Sequence, residues 1–165
     1  MRDLRVLAVA AMVAGGVLTV VPPAGAAARQ DARQVSRAEA AGPINYSCGA
    51  RLRVTRQVPR STWERMAGAR GRRGAVHLYA AGGVYRGRDV WWAYGTGLRA
   101  GDRVSIDWTD DGGRTYHACH AVVGRGGRSA TSFAVDDPGG RKFRACVKAA
   151  GRWSCTRGWW HTRAS

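Results

Sequence analysis

The stretch Lys142-Phe-Arg-Ala-Cys-Val-Lys-Ala-Ala-Gly-Arg-Trp-Ser-Cys-Thr156 reads as two strands, Lys142–Ala149 and 152–156, joined by Ala150-Gly151. A two-residue turn sets Ala149 opposite Arg152 as a hydrogen-bonded pair. Counting outward, Cys146 then faces Cys155 in a non-hydrogen-bonded pair. Such pairs hold their Cα atoms near ~4.5 Å, which suits a cross-strand disulfide. Alternation assigns Phe143, Ala145 and Val147 to a core face. It assigns Arg144, Cys146 and Lys148 to the other face, with Trp153 opposite Lys148.

Outward from this hairpin the same texture continues. Residues 75–80, 89–94, 103–108, 114–123 and 131–136 are short, rich in β-branched and aromatic residues, and separated by turns drawn from the chain's 23 Gly. This pattern predicts an all-β fold, a small antiparallel sandwich or barrel of about seven to eight short strands. Upstream, Arg51-Leu-Arg-Val-Thr-Arg56 puts Leu52 and Val54 on one face. Ser61 to Met66 reads as one or two helical turns with Ser61 as N-cap and Glu64 at the third position. Gly68 to Gly74 reads as a basic loop.

The N-terminus is built differently. Arg2 and Arg5 precede the uncharged run 6–21, then Pro22-Pro23, and the Ala-x-Ala signals Ala24-Gly-Ala26 and Ala26-Ala-Ala28. The run is shorter than the ~20 residues that span a bilayer, so 1–28 reads as a secretory signal peptide and the mature protein as lacking a transmembrane segment. Residues 29–44 are polar and basic and read as a disordered arm before a β-domain at 45–165. An exported chain with four cysteines implies two disulfides. With Cys146–Cys155 taken by the hairpin, the second is Cys48–Cys119.

Thr109-Asp-Asp-Gly-Gly-Arg-Thr-Tyr116 resembles the Asp-box of sialidases and other β-proteins, through Thr109, Asp111, Gly113, Thr115 and Tyr116, with Tyr where Trp is usual. The resemblance implies a structural hairpin turn rather than a catalytic element. The chemistry agrees, because Asp caps turn N–H groups and Gly supplies positive φ. The stretch from about Val90 onward, through Asp107 to Tyr116, Phe143-Arg-Ala-Cys146 and Cys155-Thr156, is also similar to small exported actinobacterial β-domains. Some of these are non-catalytic regions of secreted glycoside hydrolases, and the similarity transfers no catalysis.

Length and pattern exclude doubly wound and barrel enzymes. There is no Gly-x-Ser-x-Gly elbow, and export leaves no free thiol as nucleophile. His117, Cys119 and His120 form His-x-Cys-His, but 117 and 120 point to opposite faces of a strand, so no metal site and no cofactor is expected. Calcium ligation by Asp107, Asp110, Asp111 and Asp136 or Asp137 lacks the EF-hand spacing. What remains is charge and aromatics. The chain carries 27 Lys+Arg against 11 Asp+Glu, formally +16, and seven Trp. Trp108 continues the apolar face of Val104 and Ile106 and belongs to the core. Trp153, Lys148, Arg144 and Arg157 form a cation–aromatic patch, and adjacent Trp91 and Trp92 point oppositely, so that one faces out. These features predict a secreted, cell-wall-associated or extracellular binding domain. Its partner would be an anionic polymer or carbohydrate at the cell surface: acidic polysaccharide, teichoic acid or nucleic acid. The alternatives are a small secreted hydrolase acting on phosphodiesters through His117 or His120, and an inhibitor or toxin-like protein presenting Arg70 to Gly74.

Overall fold

The computed structural model describes residues 44–161, all within the second of two units of the chain, Ala40–Ser165. The leader and nearly all of the arm lie outside the described residues. Ten strands form two five-stranded sheets. They are β1 (Ile44–Tyr46), β2 (Glu64–Arg70), β3 (Ala75–Tyr85), β4 (Arg88–Thr96), β5 (Arg103–Thr109), β6 (Tyr116–Val122), β7 (Ser129–Thr131), β8 (Val135–Asp136), β9 (Lys142–Ala149) and β10 (Arg152–Cys155). The first sheet has the order β1-β6-β5-β9-β10 and the second β2-β3-β4-β7, with β8 also on β4. Every pairing is antiparallel except β1 on β6, which is parallel.

The sheets pack face to face as a sandwich. Val76, Leu78 and Trp91 of the second sheet meet Val104, Ile106, Phe143, Ala145 and Val147 of the first, all at or near zero exposure. Trp91 stacks on Phe143 with ring centroids 4.9 Å apart. Period-2 alternation thus delivers the apolar inner face of each sheet, as expected for β-strands. The β9–β10 hairpin has the expected register, with Trp153 on Lys148 and Cys155 on Cys146. Ala150 and Gly151 both take positive φ, 50° and 80°, so the two-residue turn forms although its first position is not glycine. Both expected disulfides are present, Cys48–Cys119 and Cys146–Cys155.

A second apolar cluster lies outside the second sheet. Leu52, Val54 and Val58 cover Ala81, Val90 and Trp92, with Trp63 and Tyr79 at the edge. This roof is the segment before β2, containing a single helical turn, α1 (Val54–Gln57), and a 3₁₀ turn at Arg60–Thr62. It corrects the expectations for this region. Ser61 lies inside the 3₁₀ turn, whose N-cap is Pro59, and the expected helix stops as Glu64 enters β2. Pairing with β3 and packing of Trp63 on Trp92 (5.1 Å) outweigh the capping pattern. Gly68 to Arg70, read as loop, continue β2. The strand expected at 131–136 is broken between β7 and β8, where Ser132 Oγ accepts the Ala93 N–H at 3.0 Å.

The 109–116 turn closes on its own side chains. Thr109 Oγ1 accepts the Gly113 N–H at 3.0 Å, and the Asp111 carboxylate accepts both the N–H (3.0 Å) and the hydroxyl (2.7 Å) of Thr115. Gly113, at φ 99°, admits Trp159 against the turn, where a Cβ would meet the indole nitrogen at 2.5 Å. The Thr115 hydroxyl and amide hold the Asp111 carboxyl well below the usual carboxylate range. A lowered acid pKa stabilises the fold above the unfolded-state value, and that contribution fades as pH falls. The Asp111 side-chain carbon should therefore show no NMR titration down to about pH 3, although a free aspartate titrates near ~3.9. A midpoint in the ordinary range would contradict these hydrogen bonds.

Candidate functional site

Along β5, Val104, Ile106 and Trp108 enter the core, while Ser105 and Asp107 point to the outer face of the first sheet. Asp107 is nevertheless only 4% exposed. It lies opposite Arg144 of β9, whose Nε donates to Oδ2 at 2.9 Å, and the Ser105 hydroxyl donates to Oδ1 at 2.5 Å. The guanidinium lies 4.7 Å from the Tyr116 ring and 4.6 Å from the Trp159 ring. Burial pushes the Asp107 carboxyl above its ordinary value, against the pull of Arg144 and of the Ser105 hydrogen bond. Cys146 and Cys155 place sulfurs near this carboxylate. Both are spent in the disulfide and offer a metal no thiolate.

Beside this buried pair a row of rings crosses the sheet. Tyr46 of β1, 74% exposed, meets His120 of β6 edge-on at 5.3 Å. His120 meets Trp153 of β10 at 5.4 Å. Ser105 and the Cys146–Cys155 bridge occupy the register positions between them, and these small groups let the Trp153 ring lean across two intervening strands. Lys148 Nζ lies 6.0 Å from the Trp153 ring centroid, and exposed Arg103 pairs in register with Lys148. Burial pushes the His120 imidazole below its ordinary value. Asp107 pulls the other way, and Arg103 and Lys148 reinforce the lowering.

The structure brings Trp153 and Lys148 together as expected and corrects the other patch residues. Arg144 is not a free cation on this face, because its charge is matched by Asp107 and its side chain is only 13% exposed. Trp91 and Trp92 do point to opposite faces, but neither faces out. Trp91 fills the sandwich core and Trp92 lies under the α1 segment, stacked on Tyr79 at 5.6 Å. Arg157 is exposed beyond the end of β10 and lines a different surface, with Trp159 and Trp160. Sequence reasoning missed Tyr46, counted only as the start of the domain, and placed His120 in a metal or hydrolase context. Strand parity already put His120 on the face opposite Cys119. The missing knowledge was that β6, β5, β9 and β10 lie in that order.

Ser105 on this face is not set up as a nucleophile. The Ser105 proton goes to Asp107, so the hydroxyl is not activated by a histidine base. His117 turns away from His120 and stacks on Trp108 at 3.8 Å. Among residues 44–161, 21 Lys and Arg face 8 Asp and Glu, a balance of +13. No helix among the described residues is long and apolar enough to cross a membrane. Comparison of the chain with models of known protein families, with curated proteins and with solved structures finds no match.

Proposed function

We propose that this protein is a secreted, non-catalytic binding domain for an anionic polymer of the cell envelope or its surroundings, held on the outer face of the first sheet. The observation that carries this reading is the Tyr46–His120–Trp153 row with Lys148 and Arg103 beside it. Rings give a chain of sugars or bases something to lie on, and the cations meet its phosphates or carboxylates. Asp107, the acidic residue beneath this row, is already neutralised by Arg144, so the face shows an anion little opposing charge. Two disulfides and the leader at 1–28 are the features that support export.

A surplus of +13 attracts any polyanion, so affinity alone proves little. Salt response separates a site from diffuse attraction. With six phosphate-like contacts, binding by counterion release falls about 10³-fold between 50 and 200 mM salt. Ring stacking leaves a salt-resistant remainder of roughly 1–3 kcal/mol per aromatic, as it does for bases. Binding to teichoic acid, a heparin-like polymer and single-stranded DNA is to be measured across that range. At least one should retain affinity that Trp153→Ala and Tyr46→Ala each remove, while Arg125→Ala in the exposed 124–127 turn only lowers the salt slope. Complete loss at 200 mM, with Trp153→Ala indistinguishable from the parent, would show a merely solvated basic surface.

A further inference from the structure

On the open side of the sandwich, β2, the edge of the second sheet, faces β10 and the segment that follows it. Residues of β2, β3 and β4 and the segment 157–161 line a cavity of about 710 Å³, continued along β2 by a second of about 580 Å³ that shares Met66, Arg157 and Trp160. The larger one is within the ~300–1,000 Å³ range of small-ligand sites. Its rings are fixed before anything binds. Trp160 is pinned to Phe143 by two backbone hydrogen bonds of 2.6 and 2.7 Å, and its indole N–H donates to the Arg157 carbonyl at 3.2 Å. Trp159 is held by Arg144 and by the Gly113 turn. Trp91 lines the inner wall, and its buried indole N–H has no hydrogen-bond partner.

The carboxylates are distributed in a telling way. Asp102, Asp107, Asp110 and Asp136 are in salt bridges, Asp111 closes its turn, and Asp137 accepts the Gly139 N–H. Glu64 and Asp89 are in none of the salt bridges among the described residues, despite the excess of arginine, and both line this trench. The Asp89 carboxylate accepts the Gly83 N–H at 3.1 Å, and Glu64 is exposed.

We propose that the trench is a second binding site, for an uncharged pyranose chain. A pyranose offers an apolar C–H face to a ring and paired hydroxyls at its rim. The exposed indole of Trp160 takes the first. Carboxylates accept from the hydroxyls and Arg157 donates to them. Glu64 and Asp89 balance Arg157 and Arg70 along the trench, so it lacks the cationic surplus of the sheet face and takes an uncharged chain rather than a phosphate or uronate one. A peptide adding to β2 fits less well, because the bulge between Arg65 and Ala67 interrupts the edge ladder that strand addition uses.

The test is tryptophan fluorescence of the whole chain titrated with uncharged oligosaccharides: cellohexaose, xylohexaose and chitohexaose. At least one should give a saturable change that is the same at about 50 and 500 mM salt, since no ion pair forms. Trp160→Ala and the exposed Glu64→Gln should each weaken it about tenfold or more. Trp153→Ala should leave it unchanged. No saturable response to any of the three, or a response lost with Trp153 and kept with Trp160→Ala and Glu64→Gln, overturns the proposal. A response that collapses with salt does the same. Failure here leaves the polyanion reading standing, because that reading is tested by other variants on another face.

Discussion

Arg144→Met should unfold this domain more readily than any other surface-facing substitution on the first sheet, by about 3–5 kcal/mol at neutral pH. The side chain is nearly isosteric along its stem, so packing on Tyr116 and Trp159 is largely kept. What is lost is the charge 2.9 Å from a carboxylate that is 4% exposed. A buried carboxylate left with the Ser105 hydroxyl but no cation must bear its dehydration uncompensated by charge or take up a proton. For a domain of this size the cost corresponds to a fall in Tm of about 10–20 °C. The pH dependence identifies the cause. Asp107 already has a raised pKa in the folded state, so its protonated form favours folding, a contribution present at low pH and lost as pH rises through the folded value. Removing Arg144 raises that value further. The deficit should therefore be largest at neutral pH and shrink as the solution is acidified towards about pH 4, where the unfolded carboxyl also protonates. Asp107→Asn combined with Arg144→Met should recover much of the loss. Denaturant unfolding of the four proteins of this cycle at both pH values is the measurement. A loss independent of pH, or no recovery in the double variant, would mean that packing of Arg144 on its aromatic neighbours, not its charge, holds this face.

That ion pair also marks where the sequence stops being readable. The β9–β10 hairpin was legible because a two-residue turn fixes its register locally, and the register fixes Cys146 on Cys155 and Trp153 on Lys148. The second disulfide followed by elimination. The all-β class was legible from alternation and turn spacing. Strand order was not. Asp107 and Arg144 are 37 residues apart and meet only because β5 pairs with β9, so Arg144 read as a cation of the aromatic patch and not as the partner of a buried carboxylate. Trp91 and Trp92 failed differently. Alternation correctly placed them on opposite faces, but alternation cannot say whether an outer face is roofed. The roof is Leu52, Val54 and Val58, a segment whose own pattern put Leu52 and Val54 on one face without showing what that face covers. The trench was invisible for the same reason, since Glu64, Asp89 and Trp160 share no local pattern.

Loss of the Cys48–Cys119 bridge should cost more than loss of Cys146–Cys155, although the second is the one the hairpin announces. In the chain-entropy model, a bridge across a sequence separation of 71 contributes about 4.4 kcal/mol and one across 9 about 2.7 kcal/mol. The structure widens the gap. Cys146 and Cys155 sit on strands already in register, so the hairpin persists without its bond. Cys48 follows β1, a three-residue strand with exposed side chains that pairs with β6 at the edge of its sheet. Cys119, at zero exposure, lies in the sandwich core, and the bond to it is what ties that edge to the interior. In Cys48→Ala/Cys119→Ala, β1 should detach before the rest of the domain unfolds. Amide exchange at 44–46 should then rise towards that of free chain while β5 and β9 stay protected. Tyr46 would leave the ring row with β1, so the salt-resistant part of polyanion binding should fall together with this protection. In Cys146→Ala/Cys155→Ala both should survive. Equal stability losses in the two double variants, or β1 amides still protected without the long bridge, would show that hydrogen bonding to β6 suffices to hold the edge and that the bridge only shortens the unfolded chain.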